Sequence, residues 1–414
     1  MTERIAYITT SDRSTFKKCR RLWDWSSPLR DGLRPLQKAL PLWLGNAAHH
    51  AMEDYNGYRL YPTINDAIDD YVQACVAAYG KVFLPENYMD DITIIKDVLN
   101  YYVNEWLHCD LQVRDNLTTV VVDGVPQVEV DFEMALDIPN GLMQLIPYDK
   151  VIYKGTFDRV TIDDNGFIYI NDYKFVSSFA NLLTLELDAQ ISAYMLAGRL
   201  LYGDKLAGFV YHQFLKDVPS PPRILQNGTV STDKRQRTNH AMYERTLIQT
   251  YGDDMMSWPA DAVSFMNQLA EREEPNADAF IRRDIIYRDK ANSAEIEGII
   301  YKEVVDMLNP NVNIYPNPSF LCATITKCPF VEPCLQKDKS EKYSLTLSTE
   351  YEKEELFDRN KWRDYLKVKP TDVIQATSKP PKQKVSQPPK PKQSKPPLKP
   401  SKPSKPLPPV RGRR

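Results

Sequence analysis

The sequence lacks the features that mark membrane proteins and secreted, disulfide-stabilised proteins. No apolar run approaches the roughly 18 residues of a membrane span. The N-terminus, MTERIAYITTSDRS, does not have the charged and then apolar layout of a signal peptide. Six cysteines in 414 residues are too few for a secreted disulfide scaffold. We therefore expect a cytoplasmic protein with no membrane segment.

Motifs of several common enzyme classes are also missing. There is no GxxxxGK[ST] loop, so we expect no ATP-driven motor in this chain, and any unwinding must come from another protein. Neither GxSxG nor HExxH occurs. The chemistry must therefore come from a different arrangement of residues.

Acidic residues are absent from the last part of the chain, although the whole chain is nearly neutral at −2. Residues 373–414 contain nine Lys, three Arg and twelve of the 31 prolines. The remainder has 41 basic and 55 acidic residues and carries a charge of −14. A segment of this composition cannot bury a core, so we expect 369–414 to be a disordered basic tail. It could attract nucleic-acid phosphates, or it could be a solubilising or partner-docking segment.

The most informative stretch is 151–176, VIYKGTFDRVTIDDNGFIYINDYKFV. Apolar and β-branched residues on both sides of the DDNG turn predict a β-hairpin. Asp172 and Lys174 are two residues apart, so both side chains leave the second strand on one face, and Asp158 on the first strand can meet Asp172. Two carboxylates and a lysine suit a magnesium or manganese site, because hard cations prefer oxygen ligands. The alternative is the exposed face of an amphipathic hairpin.

Periodicity predicts helices before this hairpin, strands around it and more helices after it. We expect helices at 11–25, 41–58, 64–80, 88–108, 184–201, 238–250, 258–271 and 292–308, and strands at 118–122, 126–136 and 206–216. Ser11 or Ser14 is the expected cap of the first helix. This order of elements indicates an α/β fold with a mixed sheet flanked by helices.

Two of the predicted helices carry polar side chains four residues apart. His49 and Glu53 share a face of helix 41–58, and Gln190 and Tyr194 share a face of helix 184–201. His50 points elsewhere and is the weaker candidate. A lone helical histidine is more often a packing or surface residue than a ligand. His49 is therefore a metal-ligand candidate only in combination with the acidic residues of the hairpin.

Half of the cysteines are clustered. Cys322, Cys328 and Cys334 have five residues between neighbours, in a proline-rich loop at 315–334. Three clustered thiolates and one distant cysteine would make a four-cysteine site for zinc or an iron–sulfur cluster. Cys19, on the first predicted helix, could instead be a half-buried core thiol, and Cys75 is most simply a core residue.

Taken together, these motifs resemble a known family. Four motifs follow one another along the chain: Gly45-x-x-x-His49, Gly155-x-x-Asp158, Asp172-x-Lys174 and Gln190-x-x-x-Tyr194. This order resembles the RecB-like branch of the PD-(D/E)XK nuclease superfamily. Cys19 and the three later cysteines look like the iron–sulfur cysteines of the AddB nuclease domain and of the CRISPR-associated RecB-like exonucleases. Stand-alone proteins of this kind are frequent in bacteriophage genomes, so we expect a phage-type protein in the bacterial cytoplasm.

The resemblance implies roles for the residues of the hairpin and for the helical histidine. His49, Asp158 and Asp172 would bind Mg²⁺ or Mn²⁺, together with the backbone carbonyl of Tyr173. Lys174 would position or help deprotonate the attacking water and offset the charge that develops at the scissile phosphate.

The resemblance also implies supporting roles on the neighbouring elements. Gln190 and Tyr194 would orient Lys174 or touch the DNA backbone. Glu129, on the preceding strand, is a further acidic candidate, with a solvated strand face as the alternative.

The resemblance further implies a 4Fe-4S cluster held by Cys19, Cys322, Cys328 and Cys334, with zinc as the less favoured occupant. Its role would be structural, because it would join the N-terminal helix to the C-terminal segment. The family spacing is C-x₂-C-x₅-C, whereas the first gap here is five residues, which displaces Cys322 by three positions.

The predicted organisation is a restriction-endonuclease-like α/β core with helical additions at both ends, joined by the cysteine cluster. We expect an N-terminal helical segment at 1–115, the nuclease core at 116–217, a C-terminal helical segment at 218–368 and the tail at 369–414. The predicted function is that of a metal-dependent DNA exonuclease acting on single-stranded or resected ends in recombination or repair, beside a helicase or recombinase. The alternatives are an endonuclease on the same core and a non-catalytic DNA-binding subunit.

Overall fold

The computed structural model describes residues 3–35, 41–80, 88–108, 117–273, 277–319, 322, 328–336, 341–353 and 360–369. The predicted tail lies outside these residues from position 370 onwards. Within the described ranges, no helix is both long and apolar enough to cross a membrane.

Each of the eight predicted helical regions contains helix in the structure, and the described chain has thirteen α-helices because two predicted regions are divided and three further helices were not predicted. They are α1 Thr10–Lys18, α2 Arg20–Ser26, α3 Pro41–Glu53, α4 Ile64–Tyr79, α5 Tyr88–Asn104, α6 Asn140–Met143, α7 Leu182–Glu186, α8 Ala189–Tyr202, α9 His240–Tyr251, α10 Ala260–Ala270, α11 Lys290–Leu308, α12 Val331–Leu335 and α13 Glu341–Glu350. The predicted helices at 64–80 and 88–108 are confirmed as α4 and α5.

The strands form one large sheet and two small ones. They are β1 Ile5–Ile8, β2 Leu33–Pro35, β3 Thr118–Thr119, β4 Val121–Val122, β5 Val125–Pro126, β6 Val128–Ala135, β7 Lys150–Ile162, β8 Ile168–Val176, β9 Leu206–Leu215, β10 Ile281–Ile286 and β11 Tyr351–Lys353. The large sheet runs β1-β7-β8-β9-β10, and β3 and β6 also pair with β7. β1 is parallel to β7 and β8 is parallel to β9, while the other pairs are antiparallel. The predicted mixed sheet is therefore confirmed.

Helices cover both faces of this sheet. α1, α8 and α11 contribute to one apolar core with β6, β7 and β8, centred on the buried Tyr153, Phe157 and Ile191. α3, α4 and α5 form a second core against Tyr173 and Phe214 of the sheet. A third, smaller core lies between α9 and α10. The predicted arrangement of a sheet between helical layers is thus observed.

β7 is shared along one edge by two different strands. β1 pairs with it as far as Tyr153, and β8 pairs with it only from Arg159 onwards. Beyond Asn171, β8 leaves β7 but stays paired with β9 to Val176. The sheet therefore forks between β7 and β8. Asp158 and Asp172 are the first residues beyond the last β7–β8 pair, which is Arg159 with Asn171.

The C-terminal part of the described chain packs against the N-terminal part. β11 pairs with β2, and Arg34 and Glu352 form an ion pair between them. Further on, the buried Trp362 packs on α3 and α4 through His50 and Tyr71. Residues 360–369, here termed the C-terminal brace, thereby support the helix that carries His49.

The first predicted helix differs from the structure. Residues 11–25 are two helices, because Cys19 has an extended backbone with φ −161° and ψ 115°. Thr9, rather than Ser11 or Ser14, caps α1, since its hydroxyl accepts the Asp12 N–H and the Asp12 carboxylate bonds back to the Thr9 N–H.

Two other predicted helices are shorter or divided. The helix predicted at 41–58 ends at Glu53 and continues as a π-helical turn. The one predicted at 184–201 is α7 and α8, because Asp188 caps a new helix with bonds to the Gln190 and Ile191 N–H groups. β1 and β10 were not predicted and bring residues from outside 116–217 into the sheet. The proposed domain division stays a prediction.

Candidate active site

The turn between β7 and β8 fixes how the two strands face each other. One oxygen of the Asp163 side chain accepts the N–H groups of Asn165 and Phe167, and Gly166 takes the φ of +83° that the turn requires. The resulting register pairs Arg159 with Asn171. Asp158 and Asp172 are consequently brought to the same point of the fork.

The side chain of Asp158 fills the fork. Its Oδ2 accepts the backbone N–H of Tyr173 at 2.8 Å, in the place of the next ladder bond. Its other oxygen, Oδ1, is 3.5 Å from His49 Nδ1. Asp158 thus connects the divergence of the strands with the histidine of α3.

Lys174 and Gln190 meet at Asp172. The Lys174 ammonium is 2.8 Å from Oδ1 and 2.7 Å from Oδ2 of Asp172, which is almost completely buried. Gln190 donates from Nε2 to Asp172 Oδ1 at 3.1 Å and is itself held by the Asp188 cap of α8. The Lys174 side chain remains one-third exposed, so its ammonium is accessible from outside the sheet.

His49 brings α3 to the same point. Its Nε2 is 3.2 Å from the Tyr173 carbonyl oxygen, and its Nδ1 is 3.3 Å from Glu129 Oε1. One ligand atom each from His49, Glu129 and Asp158 lie within 4.8 Å of one another. Imidazole and carboxylate donors at this spacing fit a divalent cation, and the Tyr173 carbonyl adds a hard oxygen beside them.

Two neighbours of His49 on α3 do not join the site. Glu53, predicted to share its face, is buried and instead pairs with Arg363 of the C-terminal brace at 3.1 Å. His50 lies among Tyr61, Tyr71 and Trp362 on the opposite side. His49 therefore contributes to the candidate site, whereas His50 and Glu53 contact the C-terminal brace.

Four ionisable side chains of the site are close together and largely removed from solvent, which shifts their pKa values. Burial raises the pKa of Asp158 and of Asp172, and each is raised further by a neighbouring carboxylate, Glu129 for Asp158 and Asp158 for Asp172. Burial alone would lower the pKa of Lys174, but Asp172 and Asp158 outweigh it and keep the ammonium charged. Burial also lowers the pKa of His49, yet Asp158 and Glu129 raise it overall to about 9. Without a cation, His49 and Lys174 supply the positive charges that balance the carboxylates.

Tyr194 lies behind the site rather than in it. Its ring is buried at edge-to-face angles against Phe132 and Phe157, with ring centroids 5.4 Å apart in both cases. Gly155 allows this packing, because a Cβ there would stand 2.7 Å from Phe132 Cζ and 3.1 Å from Tyr194 Cε1. The glycine and the tyrosine of the two motifs thus meet at one packing point, and the role of Tyr194 in catalysis stays a prediction.

The four candidate cluster cysteines lie close to one another. Burial raises the pKa of the Cys328 thiol, and the neighbouring Cys322, Cys19 and Cys334 raise it further. Cys328 and Cys334 pack against a small core of Trp25, Phe330 and Tyr351. The break between α1 and α2 exposes Cys19 Sγ to the 313–317 segment, where it accepts the Asn317 N–H at 3.3 Å. Four partly buried thiols from both ends of the chain are a donor set that fits an iron–sulfur cluster or zinc.

The forked mixed sheet thus presents carboxylates and a histidine that fit a divalent cation, with a charged lysine beside them. The model of one family, the PD-(D/E)XK nuclease superfamily, matches residues 7–335. The chain belongs to this superfamily, and membership suggests metal-dependent nuclease activity. No curated protein matches the chain.

Sequence reasoning missed the C-terminal brace, which lies within a segment expected to be helical. Its anchor is Trp362, which is 4 % exposed, and the brace also binds Asp70 of α4 through the Lys367 N–H. The available signal was a single tryptophan in the charged stretch 352–369, EKEELFDRNKWRDYLKVK. Its partners lie about 300 positions away, so the sequence did not identify them.

Proposed function

We propose that this protein is a metal-dependent DNA exonuclease of the RecB-like branch, acting on single-stranded or resected ends during recombination or repair. The observation that carries the proposal is the meeting of Asp158, Asp172, Lys174 and His49 at the fork. A subunit freed from catalysis would not need all four side chains. We further propose that it is a phage-type protein of the bacterial cytoplasm that works with a helicase or recombinase, because the chain carries no ATP-binding loop of its own.

The residues divide the work of phosphodiester hydrolysis between them. Bound Mg²⁺ or Mn²⁺ would supply Lewis-acid charge at the scissile phosphate. His49, Asp158, Asp172 and the Tyr173 carbonyl are the proposed ligands. Lys174, aligned by Asp172, would donate a hydrogen bond to the attacking water or to a phosphate oxygen and offset the developing negative charge. Gln190 would keep Asp172 in the orientation that this requires.

Cleavage of end-labelled linear single-stranded DNA tests the proposal, with Mg²⁺ or Mn²⁺ and with Lys174→Ala beside the wild type. We expect metal-dependent release of short products that disappears in the variant. Equal cleavage by both proteins would reveal a contaminant, and retained DNA binding without cleavage would indicate a non-catalytic subunit. A circular single-stranded substrate separates the two nuclease candidates, because only an endonuclease cuts it.

We also propose that Cys19, Cys322, Cys328 and Cys334 hold a 4Fe-4S cluster that joins the two ends of the chain, with zinc as the less favoured occupant. The convergence of the four thiols supports this. Closure of the chain around the core would favour a single strand over a duplex as substrate. Iron, sulfide and zinc analysis of protein purified without oxygen decides between the occupants.

The basic tail is proposed to add sequence-independent attraction for phosphates. A charge of +12 beside a body of −14 supports a role in binding, since the body alone would repel DNA. Deletion of 373–414 should weaken DNA binding at moderate salt and flatten its salt dependence. Unchanged affinity would leave the tail as a solubilising or partner-docking segment.

A further inference from the structure

Glu129 has an unusual backbone for a residue within a strand. Its φ is +47°, in the left-handed region that non-glycine residues rarely adopt. Of the other two non-glycine residues with positive φ in the described ranges, Arg59 caps the π-helical turn after α3 and Asp123 lies in a turn. Glu129 lies between Val128 and Val130, which pair with Arg159 and Phe157 of β7. Its neighbour across the strands is therefore Asp158, a second negative charge.

Both features disfavour a glutamate at this position. Like charges on neighbouring strands destabilise a sheet, and the carboxylate of Glu129 contributes to the raised pKa of Asp158. An asparagine or glycine would adopt the same backbone with less strain. Local costs of this kind concentrate where a side chain has a functional task.

The contacts of the His49 ring indicate what the Glu129 side chain does. Two carboxylate oxygens lie near Nδ1, Glu129 Oε1 at 3.3 Å, within hydrogen-bond distance, and Asp158 Oδ1 at 3.5 Å. On the other side of the ring, Nε2 faces the Tyr173 carbonyl oxygen at 3.2 Å. Because Asp158 is a proposed metal ligand, Glu129 is the nearer carboxylate left to accept the Nδ1–H. A neutral imidazole has one N–H and one free lone pair, and a carboxylate at Nδ1 decides which nitrogen carries the hydrogen. The lone pair is then left on Nε2, beside the Tyr173 carbonyl that is a proposed ligand.

We propose that Glu129 is a positioning residue of the metal site: it accepts the Nδ1–H of His49 and so directs Nε2 towards the cation. This inference rests on the proposed function and specifies its metal site. Carboxylates that orient ligating histidines in this way typically contribute 10–100-fold to metal affinity. A different arrangement of the same atoms would make Glu129 itself a ligand, because its oxygen lies within 4.8 Å of ligand atoms of His49 and Asp158.

Two substitutions of Glu129 separate these roles. Glu129→Gln keeps an oxygen that can accept the Nδ1–H but removes the charge. Glu129→Gly removes the acceptor and relieves the backbone strain, so loss of folding is not expected to obscure the result. Glu133→Gln is the matched control, since Glu133 is an exposed residue of the same strand.

The experiment is a titration of each protein with Mn²⁺ in the absence of DNA, followed by electron paramagnetic resonance or calorimetry. We expect Glu129→Gly to weaken Mn²⁺ binding by 10–100-fold, Glu129→Gln by only a few-fold, and Glu133→Gln not at all. Equal losses in both Glu129 variants would overturn the proposal in favour of direct ligation. Unchanged affinity in both would show that the contact with His49 has no part in binding.

The readout keeps this inference distinct from the proposed nuclease function. Cation affinity is measured without substrate, so a protein that binds Mn²⁺ but does not cut DNA still reports on Glu129. Cleavage assays then provide a second comparison. Glu129→Gln should recover most of the wild-type rate at saturating Mn²⁺, which a merely structural residue would not do selectively.

Discussion

Asp158 accepts the backbone N–H of Tyr173 at 2.8 Å, and the carbonyl of the same Tyr173 lies 3.2 Å from His49 Nε2. One residue of β8 therefore links the carboxylate of β7 to the imidazole of α3. The contact is possible only because β7 and β8 part at this position, which frees the Tyr173 N–H from the ladder. The candidate metal site is therefore formed at the point where the sheet forks.

Replacement of Asp158 by Asn should abolish cleavage and stabilise the metal-free protein. Burial raises the pKa of Asp158, so the ionised carboxylate is less favourable in the folded than in the unfolded state. Asparagine keeps an oxygen for the Tyr173 N–H. We expect the melting temperature to rise at pH 7.5, measured with a chelator that keeps the site free of metal. Each 1 kcal/mol added to the free energy of unfolding should raise it by about 2 °C. A lower melting temperature would contradict this account, and Asp131→Asn, an exposed change on β6, is the control.

The protonation of His49 should make both stability and cation binding depend on pH. Its folded pKa of about 9 is above the ordinary value of 6.5 despite burial, because of Asp158 and Glu129. This contribution to stability is therefore complete below about pH 6.5 and is lost as the pH rises through 9. Thermal melts of the metal-free protein should fall across this range, and His49→Gln should remove the trend.

Cation binding should show the opposite trend, because His49 must lose its proton to act as a ligand. We expect Mn²⁺ affinity to increase between pH 7 and 9. Calorimetry at pH 7.5 in two buffers of different ionisation enthalpy should detect release of about one proton for each cation bound. Binding without proton release would exclude His49 as a ligand.

Gly155→Ala should reduce stability and activity together. The new methyl group would stand 2.7 Å from Phe132 Cζ, and overpacking of this kind costs about 1–3 kcal/mol. Relief of the clash requires β7 to move, and Asp158 lies three residues further along that strand. Denaturant unfolding and cleavage assays measure both effects. Gly298→Ala, on α11 with nothing within 4 Å of the new Cβ, should instead be neutral or stabilising.

Trp362→Ala should reduce cleavage although Trp362 does not touch the site. The indole packs on His50, the neighbour of His49, so its loss leaves a cavity under α3 that costs about 3–5 kcal/mol. We expect a lower melting temperature and a weaker cation affinity. Tyr365→Ala in the same turn is the control, since Tyr365 is 45 % exposed. Equal behaviour of the two variants would show that the brace does not support α3.

Cys19→Ala should yield colourless and less stable protein if the proposed iron–sulfur cluster forms. Cys19 is the proposed ligand from the N-terminal part of the chain, so its loss would release the link between the two ends. Absorption spectra of freshly purified protein and thermal melts measure the two effects. Cys75→Ala, at a fully buried position of α4, should keep the colour. A full brown chromophore in Cys19→Ala would rule out Cys19 as a ligand.

The sequence predicted those parts of the fold that depend on local pattern. The turn at 163–166 and the alternation around it defined the hairpin, and the spacing of Asp158, Asp172 and Lys174 placed three charges together. The long amphipathic helices α4 and α5 could also be predicted from the sequence, because their apolar residues recur at helical spacing.

The parts that depend on distant partners could not be predicted. β10, IRRDII, has charged residues in its middle, yet Arg283 and Asp284 are buried, and Asp284 is bonded to Arg282 and Gln213. β1 has only four residues and is a strand because β7 lies beside it. Glu129 contacts His49 of α3 from a left-handed backbone conformation that the alternation along β6 does not predict. In each case the deciding interaction lies outside the local sequence.

The pairing of β2 with β11 and the docking of Trp362 on α3 set an order of events during synthesis. The ribosome makes residues 33–35 and His49 some 300 residues before their C-terminal partners emerge. The nascent chain can form the forked sheet early, but the helix that presents His49 is supported only when almost all of the described chain has been released. Full hydrolytic competence should therefore appear after translation is nearly complete, so a truncated translation product would be a poor nuclease.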